Sequence, residues 1–255
     1  MRITVDCKTM EKGLSVIQMK GMYRHAHVAK TSSIGDIGVL IVREDSLFML
    51  NASNTIAAQV TIPIVEKEPG EKMVMFNIQK TMKYLKSLVS DEVELELGDS
   101  MLKFIGGSAT AEMPASIEHP ALQFITRLNT MDISHEQLPS FNNTQLEAQL
   151  VVDGKELSDA IKGCSTIGNA TYELKYIQTE EGGKAILSSG NYPNLDSYTV
   201  NLTLLAHMGK ETTVQFSAPI DKFCDGVMWI YIKNESPILF VGADRRLVMA
   251  PYIQR

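Results

Sequence analysis

The sequence predicts an α+β fold made by duplication, and three observations carry that expectation. Residues 1–114 and 147–251 read as two copies of one pattern: Ile3-Thr4-Val5-Asp6 before an amphipathic stretch corresponds to Leu150-Val151-Val152-Asp153 before another. Later, Phe76-Asn77-Ile78 followed by Leu95–Phe104 corresponds to Phe216-Ser217-Ala218 followed by Ile230–Phe240. Each copy closes on a similar phrase, Glu112-Met113-Pro114 and Val248-Met249-Ala250-Pro251. A repeat longer than 100 residues means duplicated domains rather than a solenoid of short units. The expected organisation is an N-terminal domain over 1–114, a connecting strand and loop over 115–146, and a C-terminal domain over 147–255.

The first copy opens with an alternating strand and a helix over residues 8–20, where Met10, Leu14 and Ile17 form an i, i+4, i+7 stripe. Ser46–Leu50 and Ala57–Ile62 read as a strand pair around Ala52–Asn54. A second helix over 77–90 aligns Ile78, Met82, Leu85 and Val89. In Glu92-Val93-Glu94-Leu95-Glu96-Leu97 the apolar residues face a core and the glutamates face water, and Gly98-Asp99-Ser100 turns the chain into Met101–Ile105. Between the copies, Gln123–Leu128 is compatible with a strand, while 129–146 reads as an extended connector.

The second copy repeats the plan. Helix 155–166 buries Leu157, Ala160, Ile161 and Cys164, and Thr171–Gln178 and Lys184–Ser189 flank a turn at Glu180–Gly183. A short helix is expected around Pro219–Gly226, with Ile220 and Phe223 buried. It is about four residues shorter than its counterpart, because the offset between copies falls from 140 at Phe76/Phe216 to 136 at Phe104/Phe240. Ile230–Lys233, Ile238–Val241 and Leu247–Ala250 complete the strands.

Composition narrows the function classes. At 255 residues, 44% hydrophobic and 21% charged, the chain has the makings of an ordinary folded protein. No apolar run reaches the ~18–20 residues of a membrane span. Met1-Arg2-Ile3-Thr4 passes directly into a strand rather than a signal peptide, and Cys7, Cys164 and Cys224 form no CxxC, which suits a reducing interior. An intracellular setting, cytoplasmic or nucleoid (nuclear in a eukaryote), is therefore expected. On that reading the Asn-x-Ser/Thr sequons at Asn51, Asn142, Asn169, Asn201 and Asn234 are incidental.

The net charge of −6 argues against a simple basic nucleic-acid binder, but the charge is unevenly placed. Residues 78–90 hold Lys80, Lys83 and Lys86 and no acid, whereas 91–99 hold Asp91, Glu92, Glu94, Glu96 and Asp99 and no base. Lysines also lie off the apolar stripes of the other helices: Lys8 and Lys12, then Lys20 further round, Lys155 and Lys162 seven apart, and Lys222 alone on the short one. A single such helix is an ordinary solvated face; four are harder to assign to coincidence.

Enzyme signatures are missing. There is no HExxH, GxxxxGKS/T or GxSxG, and Gly182-Gly183-Lys184 sits between strands, as a hairpin turn does. His25-x-His27 is the only close histidine pair and reads as a surface loop rather than a zinc site. No catalytic residue, metal or cofactor is expected.

Met131-Asp132-Ile133-Ser134-His135-Glu136-Gln137-Leu138-Pro139 resembles the interdomain connecting loop of the PCNA-type sliding clamps, the DNA polymerase processivity factors. The ending Pro237–Phe240 with Leu247–Pro251, and the helix 77–89 running into Ser90-Asp91-Glu92-Val93, are similar to the same family. The resemblance spans nearly the whole chain and rests on order, spacing and duplication. Three departures stand out: Met22–Ile37 is long, the connector is short between Leu138 and Pro139, and the chain ends Pro251-Tyr252-Ile253-Gln254-Arg255 rather than in an acid. They fit a divergent archaeal, viral or phage member as well as a cellular clamp.

The resemblance implies a homotrimeric ring of six domains, helices lining the hole and antiparallel sheets outside, that encircles duplex DNA without reading sequence. It implies a DNA-facing set of Lys12, Lys20, Lys80, Lys83, Lys155, Lys162 and Lys222. Subunits would join by strand addition between Ser108–Met113, with Ala109, Ala111 and Met113, and Lys184–Ser189, with Ile186 and Leu187. A pocket of Ala52, Ile56, Leu138, Pro237, Val248, Ala250 and Pro251 would take short peptides from DNA polymerase and other replication and repair proteins. A separate clamp-loader ATPase would be needed. Two rival classes stay open: a clamp-fold subunit of a hetero-oligomeric (checkpoint-type or heterotrimeric) ring, and an unrelated duplicated β-rich enzyme.

Overall fold

The computed structural model describes residues 1–18, 37–53, 55–115, 128, 131, 133–167, 171–180, 182–189, 196–217 and 219–252. They form two compact units, the first ending before the connector and the second beginning with it.

The first unit runs β1 (Arg2–Asp6), α1 (Cys7–Ile17), β2 (Ile37–Arg43), β3 (Ser46–Ala52), β4 (Ile56–Pro63), β5 (Glu66–Lys67), β6 (Lys72–Asn77), α2 (Ile78–Ser87), β7 (Glu92–Leu97), β8 (Met101–Gly106) and β9 (Ala109–Pro114). One antiparallel sheet has the order β5-β1-β7-β8-β9. A second series pairs as β4-β3-β2-β6. Met10, Leu14 and Ile17 are fully buried, as their spacing requires, and Asn51 of β3 donates its side-chain amide to the Ile17 carbonyl at 2.8 Å, satisfying one free group at the end of α1. In α2, Ile78 and Leu85 are buried and Met82 is half-buried. Val89 departs from the expected stripe at 97% exposure, because α2 stops at Ser87 and Leu88 is already extended.

The second unit runs β10 (Ser140–Phe141), β11 (Thr144–Gln145), β12 (Ala148–Asp153), α3 (Gly154–Ser165), β13 (Tyr172–Thr179), β14 (Gly182–Ser189), β15 (Thr199–Leu202), β16 (Leu204–Gly209), β17 (Thr212–Phe216), β18 (Val227–Ile232), β19 (Ile238–Val241) and β20 (Arg245–Met249). Its pairings run β16-β12-β18-β19-β20 and β15-β14-β13-β17. Strand for strand these orders repeat those of the first unit, so the duplication seen in sequence is a duplication of topology. Tyr172, Phe216 and Phe240 join β13, β17 and β19 through a stacked contact at 5.0 Å and an edge contact at 6.0 Å. The connector is less extended than expected. Asn142 and Asn143, both at positive φ, turn it into the small β10–β11 hairpin.

The expected fourth helix does not form. Residues 221–223 make a turn, and the second unit carries one helix among the described residues rather than two. Ile220 and Phe223 are buried as the sequence indicates, but carbonyls that a helix would use internally are taken by other elements. Ser158 of α3 donates to the Asp221 carbonyl at 2.9 Å, and Arg245 of β20 donates to that of Phe223 at 3.1 Å. Gly226, at φ +63°, then redirects the chain into β18.

Gly209 closes β16 at φ +101°, where an added Cβ would lie 2.1 Å from the Glu147 carbonyl oxygen. Gly209→Ala combines backbone strain with a clash against main chain, and is expected to lower stability by about 2–3 kcal/mol in urea denaturation.

Candidate functional site

Each of α1, α2 and α3 begins with no intervening residue after a strand. The last strand residue is also the N-cap: Asp6 accepts from the Thr9 N–H at 2.7 Å, Asn77 from that of Lys80 at 2.8 Å, and Asp153 from that of Glu156 at 2.9 Å. Hydrogen bonding from Thr9, side chain and backbone, holds the Asp6 carboxyl below its usual range. These junctions fix which face each helix buries.

The opposite faces carry the lysines. On α1, Lys8, Thr9, Lys12 and Ser15 are exposed; on α2, Lys80, Lys83, Lys86 and Ser87; on α3, Lys155, Asp159, Lys162 and Ser165. Lys222 is exposed in the turn that replaces the fourth helix, and Lys20 lies outside the described residues. Lys8 pairs with Asp91 at 3.7 Å, Lys86 with Glu11 at 3.4 Å, and Lys162 with Asp159 at 3.3 Å. Among the described residues no ion pair engages Lys80, Lys83, Lys155 or Lys222.

The acids of β7 are largely matched across strands. Arg2, Glu96, Lys103 and Glu112 stand in register on β1, β7, β8 and β9, with charged atoms 2.8, 3.5 and 4.0 Å apart in turn. Such a ladder of alternating sign stabilises a solvated sheet face by a few tenths of a kcal/mol per pair, roughly. The same four positions in the second unit are Gln149, Tyr231, Leu239 and Val248, all buried. A polar face in one copy is an apolar, covered face in the other.

The connector lies on part of that face, at Trp229 and Tyr231. His135 stacks on Trp229 with ring centroids 4.1 Å apart, and its Nδ1 lies 2.8 Å from the Tyr231 hydroxyl. Arg246 donates to the Met131 carbonyl at 2.6 Å, and Gln145 donates its side-chain amide to the Leu138 carbonyl. Sequence reasoning missed His135, Trp229, Tyr231 and Arg246. The signal was there in Trp229-x-Tyr231, which puts two aromatics on the face of β18 opposite the buried Met228, Ile230 and Ile232.

Of the expected pocket residues in the second unit, Leu138, Pro237 and Pro251 are half-buried, Ala250 is exposed and Val248 is buried. In the first unit Ala52 and Ile56 are buried, at the end of β3 and the start of β4.

The expected interface needs one correction. β9, with Ala109, Ala111 and Met113, pairs only with β8 among the described residues and is an edge strand. β14 is not one: Ile186 and Leu187 are hydrogen-bonded into a ladder with β13 on one side and β15 on the other. The edge strands of that sheet are β15, Thr199–Leu202, next to β14, and β17, Thr212–Phe216, at the far side. Both sides of β14 are consumed within the chain, so it has no backbone groups left for a neighbour.

No cluster of histidine, cysteine or acidic side chains suited to a metal occurs among the described residues, and no described helix is long and apolar enough to cross a membrane.

Two units built on one topology, each with a helix-bearing side and a five-strand series, define the DNA sliding-clamp fold. PCNA of A. fulgidus, solved with the C-terminal region of FEN-1, superposes with a TM-score of 0.70 at 18% identity, over 100% of this chain and 99% of that one. The Bacillus subtilis DNA polymerase sliding clamp gives 0.73 at 12% identity, over 100% of this chain but 65% of its own. The Helicobacter pylori β clamp bound to a DNA ligase peptide gives 0.68 at 13% identity, over 100% and 67%. No protein-family model matches the sequence, and no curated protein sequence matches it.

Proposed function

We propose that the chain is a sliding clamp: a ring-forming subunit that encircles duplex DNA and tethers a polymerase and other partners to it. The observation that carries this reading is the concentration of lysines on the exposed faces of α1, α2 and α3 within a duplicated clamp fold. Compact ammonium groups without base-reading clusters suit sequence-independent phosphate contact, and encirclement rather than affinity keeps the protein on its track. The two-unit length, matching 99% of the A. fulgidus chain, favours three copies per ring. Subunits join through the free edges β9 and β15. Clamp-binding peptides are the partner class, since two neighbours were solved with such segments from FEN-1 and a DNA ligase. A nucleotide-driven loader is a separate protein.

Light scattering coupled to size exclusion across a dilution series tests the ring. Three times 28.2 kDa gives an expected mass of about 85 kDa. A persistent monomer would overturn self-closure and favour a clamp-fold subunit of a hetero-oligomeric ring.

A further inference from the structure

We propose that His135 is a positioning residue: in its neutral form it fastens the connector to the outer face of β18, and protonation releases it. Its consequence for partner docking rests on the clamp reading above, in which the connector borders the peptide pocket.

Among the described residues, Arg246 of β20 ties the connector to the strands through the Met131 carbonyl, a fastening that does not titrate near neutral pH. Gln145, itself in the connector, donates to the Leu138 carbonyl and folds the connector on itself. Between them, His135 is held by its stack on Trp229 and its hydrogen bond with Tyr231. Burial pushes the Tyr231 phenol up to about 12, so it stays protonated and can donate to an unprotonated Nδ1. A proton at Nδ1 removes that acceptor, so the bond persists only with Nδ1–H donating to the hydroxyl oxygen, and the phenol proton must then turn elsewhere within a fully buried site.

The surroundings oppose the cation. His135 is itself exposed; loss of water where its ring lies on the strands, and then the positive charge of Arg246 on β20, hold its imidazole below the ordinary 6.5. β12 and β19 contribute Gln149, Val151, Leu239 and Val241 to this face, none of them titratable; among the described residues of the connector the neighbouring acid is Glu136, which is exposed, and Asp132 lies outside the described residues. Attraction of an imidazolium to the indole face acts the other way. A base whose pKa is lower when docked favours docking only while neutral. Its contribution is complete above 6.5 and declines as pH falls from there to the docked midpoint.

Trp229 is the only tryptophan, so its emission reports on the stack. In the full chain, emission is expected to titrate with a midpoint below 6.5. Hydrogen-exchange protection of the Glu136 and Gln137 amides, corrected for intrinsic rate, should fall by up to about tenfold per pH unit between 6.5 and that midpoint. His135→Phe keeps a stacking ring but no titrating proton, so both readouts should become flat with pH. A midpoint at or above 6.5, or equal acid loss of protection in His135→Phe, would overturn the proposal. Neither readout depends on ring assembly, so a failed mass measurement leaves this test intact, and a failed titration leaves the clamp reading intact.

Discussion

Arg245→Met is expected to destabilise the protein by about 3 kcal/mol, a large share of a domain's net stability. The guanidinium is 6% exposed and grips Asp244 with two bonds, 2.6 and 3.1 Å long. It also donates to the Phe223 carbonyl, lies 6.0 Å from the centre of the Phe223 ring, and approaches Asp225 at 3.6 Å. Methionine matches much of the volume but leaves the buried Phe223 carbonyl without this donor, while Asp244 and Asp225, about half exposed, lose an ion pair that water replaces in part. Urea denaturation measures the cost as a lower midpoint at unchanged slope. Lysine at this position should recover only part of it, because an ammonium cannot reproduce the planar fork. A loss below about 1 kcal/mol would mean that Ser158 and the turn's own hydrogen bond suffice, since one ordinary net bond is worth that much.

Replacing Lys80, Lys83, Lys155 and Lys222 together by glutamine is expected to weaken duplex binding at moderate salt on the order of a thousand-fold. The slope of log affinity against log salt should flatten by about 0.9 for each phosphate that is no longer neutralised. Mass and unfolding midpoint should stay unchanged, as these side chains are exposed and hold no ion pair among the described residues. Lys72 and Lys103 provide the contrast: they lie on strands and pair with Asp99 and Glu96, so their neutralisation should leave the salt slope alone. Equal losses from both sets would indicate that the lysines act through overall charge rather than through the helices that carry them.

Whatever depends on period and punctuation is legible in the sequence. Met10, Leu14 and Ile17 repeat at helical spacing, and Val93, Leu95 and Leu97 at strand spacing, so burial follows from pattern alone. Where local pattern and tertiary partners disagree, the sequence misleads. Pro219, Ile220 and Phe223 look like a first helical turn, but the bonds from Ser158 and Arg245 come from residues far along the chain. Val89 continues a stripe that the backbone has already left at Leu88. The family resemblance sets β14 at the subunit interface, and its sequence offers no correction because edge and interior strands alternate alike; only its pairing with the four-residue β15 makes it interior. The candidate site is legible in the helix lysines and in the connector. The His135 fastening is not, because a stack between residues so far apart in the chain leaves no local mark.

Asp6, Asn77 and Asp153 each serve as the end of a strand and the cap of the next helix, which leaves no slack at these junctions. Inserting a single residue there would rotate the helix by about 100° relative to its sheet. The buried stripe would swing toward solvent and the lysines toward the core. Chain length at these three points is thus constrained more tightly than residue identity on the helices themselves. A charge on such a helix moves only as far as the sheet beneath it bends, so the spacing of positive charge is a mechanical property of the sheets.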